Sequence, residues 1–245
     1  MRPMFSYMGA KWRLAKYYGA PAHDTVIEPF AGSACYSLYW NAPKVILYDT
    51  NPIIHGIWEY LISVSESEIR QLPTVFETVD ALPIPQEAKW LIGFWITKGN
   101  THPSKSRSKW GRQYIDSRDC KVWGDAVKDR IARQLLGIRQ WKSLCADYRT
   151  GPDIVADWFI DPPYTQAGKH YAHHKIEYET LREFCQTRQG RVTVCEVSGA
   201  SWLPFTPFRD ARAMTGKTGI RTSKECIYQV ESNSPARASK EKESE

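Results

Sequence analysis

The chain has 245 residues, enough for one α/β domain or for one such domain carrying an insertion. Its formal net charge of +6 is compatible with a polyanionic partner but does not require one. No apolar run is long enough to cross a bilayer, and we expect a soluble, intracellular protein with no membrane partner. The six cysteines are scattered without a Cys-x-x-Cys pair, which argues against a disulfide framework and against a bound metal.

Strand-like runs alternate with helix-compatible stretches in the first and last parts of the chain. Strands are predicted at residues 26–28, 45–48, 158–160, 191–197 and 226–230, and helices at residues 33–40 and 178–188. This alternation is typical of an α/β fold with a mostly parallel, doubly wound sheet.

The middle of the chain, residues 53–142, has helical spacing instead and is interpreted as an insertion. Apolar residues at three- and four-residue intervals predict a helix over residues 121–142. Residues 98–115 contain several Lys and Arg side chains and no acidic one, which predicts a basic loop. Residues 1–52 and 143–231 then form the catalytic domain, and residues 232–245, which lack large apolar side chains, form a disordered tail.

Asp161, Pro162, Pro163 and Tyr164 follow a predicted strand, at the edge where open α/β sheets bind ligands. We call these four residues the catalytic loop. An exocyclic adenine amine is a poor nucleophile, and an enzyme that methylates it needs acceptors for both N–H bonds. Asp161 and the Pro162 carbonyl can accept them, and the prolines stiffen the turn. Tyr164 offers a face for a flipped base; the alternative is a rigid turn with a packing aromatic.

A second edge motif comes from the turn after the first strand, where Glu28 is followed by small residues that allow a ligand to approach the backbone. Asp49 ends the next strand about twenty residues later, the separation at which an acidic residue reaches ribose hydroxyls in dinucleotide folds. The alternative role for Asp49 is the N-cap of a helix over residues 53–60.

Taken in order, four motifs resemble the series of Dam-type DNA adenine-N6 methyltransferases of the D12 class, alpha group. They are residues 7–11 (Tyr-Met-Gly-Ala-Lys), 28–33 (Glu-Pro-Phe-Ala-Gly-Ser), 49–52 (Asp-Thr-Asn-Pro) and the catalytic loop. The resemblance is collinear and spans residues 7–228. It implies a Rossmann-like class I methyltransferase sheet, with residues 53–142 as a mainly helical target-recognition insertion.

The resemblance also implies S-adenosyl-L-methionine as the cofactor. It places Glu28 on the methionine amine, Asp49 on the ribose and Asp147 on the cofactor adenine. Residues implied at the cofactor are Tyr7, Lys11, Glu28, Phe30, Ala31, Gly32, Ser33, Asp49, Asn51, Asp147 and Tyr148. Lys11 has the alternatives of a DNA phosphate contact or a solvated position, and Asp147 that of a surface carboxylate.

Double-stranded DNA is the expected partner. The candidate DNA-binding residues are Lys105, Arg107, Lys109, Trp110 and Arg112 in the basic loop, and Lys169 and His170 after the catalytic loop. The insertion does not reproduce the Asn-Gly and Arg-x-Asn pattern of enzymes that read a GATC-like site, so no recognition sequence follows. The basic loop has the alternative of a solvated loop that contacts nothing.

The predicted activity is methyl transfer to the N6 amine of a flipped adenine in DNA, by a monomer or weak dimer in the cytoplasm of a bacterial or phage-infected cell. Alternatives are a methyltransferase acting on cytosine N4, RNA adenine or a glutamine side chain, and an inactive DNA-binding regulator on the same scaffold. Three histidines at 170, 173 and 174 lack a completing carboxylate or cysteine at useful spacing, so no metal is expected.

Overall fold

The computed structural model describes residues 1–97, 99–107, 122–165, 176–215 and 219–232, with backbone alone for residues 211–215 and 219–222. The strands are β1 (Thr25–Glu28), β2 (Lys44–Tyr48), β3 (Lys142–Leu144), β4 (Val155–Ile160), β5 (Gln189–Val197), β6 (Thr206–Thr215) and β7 (Gly219–Ser232). The helices are α1 (Cys35–Trp40), α2 (Pro52–Ser63), α3 (Glu66–Gln71), α4 (Gln86–Ile96), α5 (Asp125–Ala132) and α6 (Tyr178–Thr187), with short 3-10 turns at Ala15–Tyr17, Leu135–Ile138 and Tyr148–Thr150.

The strands form one sheet in the order β3-β2-β1-β4-β5-β7-β6. The first five are parallel, and β7 runs antiparallel to both β5 and β6. This arrangement confirms the predicted α/β fold with a Rossmann-like sheet. All five predicted strands are present, and β3 and β6 were not predicted.

The chain order reverses beside β1, which lies between β2 and β4. Ligands of open α/β sheets bind outside the carboxyl ends of the strands at such a switch point. The residues that follow β1, β2 and β4 therefore meet at one edge, which we call the catalytic edge.

Two buried clusters cover the two faces of the sheet. On one face, Val26 and Leu47 pack with Trp58 of α2 and Phe94 of α4. On the other, strand residues such as Trp158 pack with the apolar side of α6. Helices of the predicted insertion thus share a core with the sheet, and β3 begins at Lys142, the last residue of the predicted insertion. The division into two domains stays a prediction.

The helix predicted over residues 121–142 is wrong in its length. The structure has α5 only to Ala132, followed by the 3-10 turn Leu135–Ile138. Leu135 and Ile138 are buried, whereas Leu136 is 79% exposed. Residues three apart lie on the same side of a 3-10 turn as well as of an α-helix, so the apolar spacing did not distinguish the two. After this turn the chain continues into β3.

Among the described residues, no helix is both long and apolar enough to span a membrane.

Gly190 of β5 pairs with Ala156 of β4, where the two backbones lie very close together. Its φ is 90°, and a Cβ there would lie 2.3 Å from the Ala156 carbonyl oxygen. We expect Gly190→Ala to lower the free energy of unfolding by about 4 kcal/mol, because backbone strain and a backbone clash combine.

Gly99→Ala is the matched control, since Gly99 also has a positive φ (75°) but a Cβ there would have nothing within 4 Å. Strain alone should cost about 1–2 kcal/mol. Urea unfolding measures both variants. Equal losses would contradict the steric assignment at Gly190.

Candidate functional site

The catalytic loop leaves the end of β4 and is braced from two sides. The Tyr178 hydroxyl of α6 donates a hydrogen bond to the Pro163 carbonyl at 2.6 Å. The Thr165 N–H, just after the loop, donates to Glu196 Oε2 at 3.3 Å. With φ of both prolines restricted by their rings, these bonds hold the loop in one shape.

Asp161 forms an ion pair with Lys11, whose Nζ lies 3.1 Å from Asp161 Oδ1. Burial raises the pKa of Asp161, and the Lys11 ammonium opposes that rise. Lys11 also donates to the Gly9 carbonyl at 3.1 Å. The first sequence motif thus supplies a cation that favours the ionised, hydrogen-bond-accepting form of Asp161.

Tyr164 lies between the same lysine and a second carboxylate. Its hydroxyl donates to Glu225 Oε2 at 2.5 Å, and Lys11 Nζ lies 4.7 Å from its ring centroid. Burial raises the pKa of Tyr164 well above its ordinary value, so the phenol stays a donor near neutral pH. A base can stack on the ring face opposite Lys11. Stacking on the other face requires Lys11 to move away from the ring.

Asp49 connects the turn after β1 to the start of α2. Its Oδ2 accepts from the Gly32 N–H at 3.1 Å and its Oδ1 accepts from the Asn51 N–H at 2.9 Å. Asn51 itself is the N-cap of α2, accepting from the Ile53 N–H at 3.0 Å. The N-cap role considered for Asp49 therefore belongs to Asn51.

Gly32 is required where the turn approaches Tyr7. Its φ is 44°, and a Cβ at this position would lie 3.2 Å from the Tyr7 ring. The neighbouring Ala31 N–H donates to the Tyr48 carbonyl at 2.9 Å, and Ser33 is buried. The turn thus presents backbone and small side chains at the catalytic edge.

Glu28 is turned inward at the end of β1. The Ser37 N–H of α1 donates to its Oε1 at 2.9 Å, and burial raises its pKa to about 7. Only 3% of the residue is exposed. It braces α1 in this geometry, and its contact with a cofactor amine stays a prediction.

Phe30 and Tyr148 form an aromatic pair at the β3 side of the edge, with ring centroids 5.4 Å apart. Asp147 caps the turn Tyr148–Thr150, and its Oδ1 lies 2.7 Å from Arg149 Nε. The Asp49 N–H donates to the Leu144 carbonyl at 3.2 Å, which ties this region to the Asp49 turn.

These residues fit the class of cofactor that the motifs imply. Two acidic side chains, Asp49 and Asp147, can accept hydrogen bonds from ribose hydroxyls and an adenine amine, and the aromatic pair offers rings against a purine. The Gly32 backbone lies where a side chain would obstruct the turn.

The structure describes two of the seven predicted DNA-binding residues. Lys105 is exposed, although its Nζ lies 2.8 Å from Asp80 Oδ2. Arg107 is buried, and its guanidinium donates to the carbonyls of Thr74 and Trp123. Arg107 therefore ties chain segments together in this structure, and its assignment as a DNA contact, which would require this buried side chain to be released, stays a prediction. The remaining candidates, Lys109, Trp110, Arg112, Lys169 and His170, lie outside the described residues, as do His173 and His174.

Two acidic residues of this edge, Glu196 and Glu225, were not predicted. Glu196 is fully buried at the end of β5 and accepts from the Val197 N–H and, at 3.1 Å, from Trp202 Nε1. For Glu196, the signal in the sequence was an acidic residue inside an apolar run. Such a position is buried, and a buried carboxylate needs several hydrogen-bond donors.

Cys35, Cys145, Cys185, Cys195 and Cys226 are free thiols. No group of three or more potential metal ligands occurs within the described part of the chain.

The sheet order and the edge residues define the class of protein, a Rossmann-like methyltransferase fold with an acid-Pro-Pro-Tyr loop at its switch point. Residues 7–84 match the family model of the D12 class N6 adenine-specific DNA methyltransferases. The resemblance drawn from the motifs is confirmed over this segment, which includes Lys11, the turn after β1 and Asp49. The match supports methyl transfer to DNA adenine as the class of activity.

Two solved structures are similar to this chain at low identity. One is described as a putative methyltransferase yhhF from Escherichia coli, with 10% identity, 90% of this chain and 81% of that chain covered, and a TM-score of 0.39. The other is a conserved hypothetical protein from Streptococcus pyogenes, with 11% identity, 90% and 95% covered, and a TM-score of 0.38. The comparison with curated proteins found no match.

The raised pKa of Glu28 has a consequence for stability. Between pH 4.5 and about 7 the folded chain holds a proton that the unfolded chain has lost, so stability falls as the pH rises through this window. The rise corresponds to about 3 kcal/mol. Glu28→Gln cannot ionise, and we expect its unfolding free energy relative to wild type to increase by about that amount between pH 4 and pH 8.

Denaturant unfolding at the two pH values tests this expectation. A matched control is Phe30→Leu, which changes a neighbouring side chain without removing an ionisable group. A Glu28→Gln difference that is the same at both pH values would show that the carboxyl titrates normally.

Proposed function

We propose that this protein transfers a methyl group from S-adenosyl-L-methionine to the N6 amine of an adenine flipped out of double-stranded DNA. The observation that carries the proposal is the pairing of Asp161 with Lys11 at the end of β4, 3.1 Å apart, beside the braced prolines. This pairing favours the ionised form of a partly buried carboxylate at the position where an amine clamp is needed. The family match over residues 7–84 supports the same reaction class.

The proposed chemistry depends on two acceptors in the catalytic loop. Asp161 accepts one N–H of the adenine amine and the Pro162 carbonyl accepts the other, which raises electron density on the nitrogen. S-adenosyl-L-methionine, when bound, supplies an electrophilic methyl group. As positive charge develops on the amine nitrogen, the carboxylate stabilises it, and the proton that the amine loses leaves through Asp161 to solvent.

Lys11 has a positioning role in this scheme. It contacts one oxygen of the carboxylate, Oδ1, so the second oxygen can accept from the amine while the charge is maintained. This positioning role is proposed in addition to the cofactor contact predicted for Lys11, which stays a prediction. The turn after β1, Asp49 and the pair Phe30–Tyr148 hold the cofactor in the proposal.

Removing the clamp tests the catalytic role directly. Asp161→Asn retains an acceptor oxygen but loses the charge, and we expect kcat to fall by about 10²–10³-fold. Asp161→Ala loses both the acceptor oxygen and the charge, and its kcat should fall further. Cofactor binding, measured by calorimetry, should change little in either variant. Wild-type-like turnover in Asp161→Ala would refute the assignment.

Lys11 should set the acidic limb of the pH–rate profile. Activity requires the ionised Asp161, and loss of the ammonium in Lys11→Met removes the interaction that lowers the pKa of this carboxyl. The limb should move to higher pH, whereas Lys11→Arg, which keeps the charge, should move it less. A profile of kcat against pH that is identical in wild type and Lys11→Met would contradict the role.

The acceptor is tested by incubating the wild-type protein with labelled cofactor and duplex DNA, single-stranded DNA or RNA. Mass spectrometry of the nucleosides should detect N6-methyladenine from duplex DNA. Label on cytosine N4 or on RNA adenine would identify a different acceptor. Absence of any transfer, together with absence of cofactor binding, would support the inactive DNA-binding regulator instead.

A further inference from the structure

Glu225 of β7 is the buried partner of the Tyr164 hydroxyl at the catalytic edge. Only 7% of Glu225 is exposed, and its Oε2 accepts from the Tyr164 hydroxyl at 2.5 Å. Its other oxygen, Oε1, accepts from the Ser223 hydroxyl at 3.3 Å. Both oxygens therefore accept hydrogen bonds from side chains of the protein, which suits the ionised form of the carboxyl group.

The sheet holds Glu225 in a fixed position. In the register, Glu225 lies opposite Val197 of β5 on one side and Arg209 of β6 on the other. The carbonyl of the neighbouring Lys224 accepts from the Ser198 N–H at 2.8 Å. Strands that are paired on both sides open rarely, so this carboxylate is a firm anchor for a side chain that bonds to it.

Tyr164 is held at two points, which together determine how its ring is oriented. Glu225 binds the hydroxyl at the far end of the side chain, and Lys11 Nζ lies 4.7 Å from the ring centroid. The hydroxyl bond fixes the direction in which the ring axis points. The cation beside the ring leaves the opposite face for a stacking base.

The backbone of the catalytic loop is supported separately from the Tyr164 ring. The Tyr178 hydroxyl donates to the Pro163 carbonyl at 2.6 Å, and this bond involves neither Tyr164 nor Glu225. Both prolines of the loop restrict its backbone further. Loss of Glu225 should therefore release the ring of Tyr164 and leave the course of the loop unchanged.

Glu225 and Lys11 act in opposite directions on Asp161. Burial is the main cause of the raised pKa of Asp161; the Lys11 ammonium opposes the rise, and the charge of Glu225 adds to it. Among the described residues, the charge of Asp161 in turn raises the pKa of Glu28, Glu196, Cys35, Cys195, Tyr18 and Tyr164. All of these groups are acids, and Lys11 is the cation that opposes their charge.

We propose that Glu225 is a positioning residue of the reaction. It holds the Tyr164 ring in the orientation in which a flipped adenine stacks on the face away from Lys11, and its charge counteracts that of Lys11 at Asp161. The inference rests on the proposed function and adds to it a residue of β7, outside the catalytic loop, that acts through Tyr164 and Asp161.

The first test is a double-mutant cycle for methyl transfer, at a pH above the acidic limb of every variant. Glu225→Ala should lower kcat about 10–100-fold, because the ring that positions the base is displaced. In Tyr164→Phe, which already lacks the hydroxyl, Glu225→Ala should cause little further loss. Additive losses would overturn the proposal, because Glu225 would then act independently of Tyr164.

The matched control for this cycle is Glu231→Ala. Glu231 is an exposed carboxylate of the same strand, opposite Arg191 and six residues from Glu225. We expect its removal to leave kcat unchanged in both backgrounds. A loss equal to that of Glu225→Ala would assign the effect to the strand and not to the bond with Tyr164.

Glu225→Gln tests the charge with a nearly isosteric side chain that keeps an acceptor oxygen for Tyr164. The pKa of Asp161, measured from its ¹³C carboxyl shift in an NMR titration, should fall in Glu225→Gln and rise in Lys11→Met. The acidic limb of the kcat profile should move in the same two directions. An unchanged or raised pKa of Asp161 in Glu225→Gln would overturn the charge role.

The NMR titration requires no methyl transfer, so failure of this inference and failure of the proposed function are distinguishable. A wild-type protein that transfers no methyl group would refute the reaction, while opposite shifts in the pKa of Asp161 would still support the role of Glu225. Wild-type-like kcat in Glu225→Ala would keep the reaction and refute the positioning role.

Discussion

The ion pair between Lys11 and Asp161 is the interaction on which the rest of the catalytic edge depends. Asp161, Glu196 and Glu225 lie close together around the catalytic loop, and burial raises the pKa of both Asp161 and Glu196. An unpaired charge there would be neutralised by a proton, and a protonated Asp161 would lose the charge that stabilises a developing cation. Lys11 opposes that protonation through a 3.1 Å contact.

Each carboxylate of this edge has a separate set of donors. Glu196 accepts from backbone and indole N–H groups, and Glu225 accepts from the Tyr164 and Ser223 hydroxyls. Asp161 alone among these three has a lysine in ion-pair distance within the described residues. The distribution gives the loop supports made of hydrogen bonds and one carboxylate held in an ion pair, the group to which the proposed function assigns the substrate contact. The same edge therefore combines two carboxylates that support the loop with one, Asp161, that is proposed to take part in the reaction.

Much of the fold was predictable because the parallel strands are short, apolar and β-branched. β3 and β6 were not, for different reasons. β3 has only three residues, Lys-Ser-Leu, at the sheet margin, and it pairs because β2 offers an unfilled edge. β6 contains Pro207 and Asp210, residue types that are depleted in strands, and the partner β7 determines its conformation. Tertiary pairing overrides local propensity in both.

The candidate site was predictable as a set of motifs but not as a set of contacts. The order of the motifs placed Asp49 and Asp161 at strand ends, since a parallel sheet brings such ends together. The partner of Asp161 could not be read from the motifs, because Lys11 and Asp161 are far apart in sequence and meet only through the fold. Arg107 shows the converse: a basic run suggests solvent and DNA, yet one guanidinium of that run is buried against backbone carbonyls.

The last two strands are joined to the catalytic loop by packing. Glu225 of β7 accepts a hydrogen bond from the Tyr164 hydroxyl, while Phe208 of β6 reaches Phe159 through Tyr18. Both strands therefore have a contact to the segment that carries Asp161. Contacts of this kind support the loop from the antiparallel side of the sheet, because close-packed aromatic contacts transmit position.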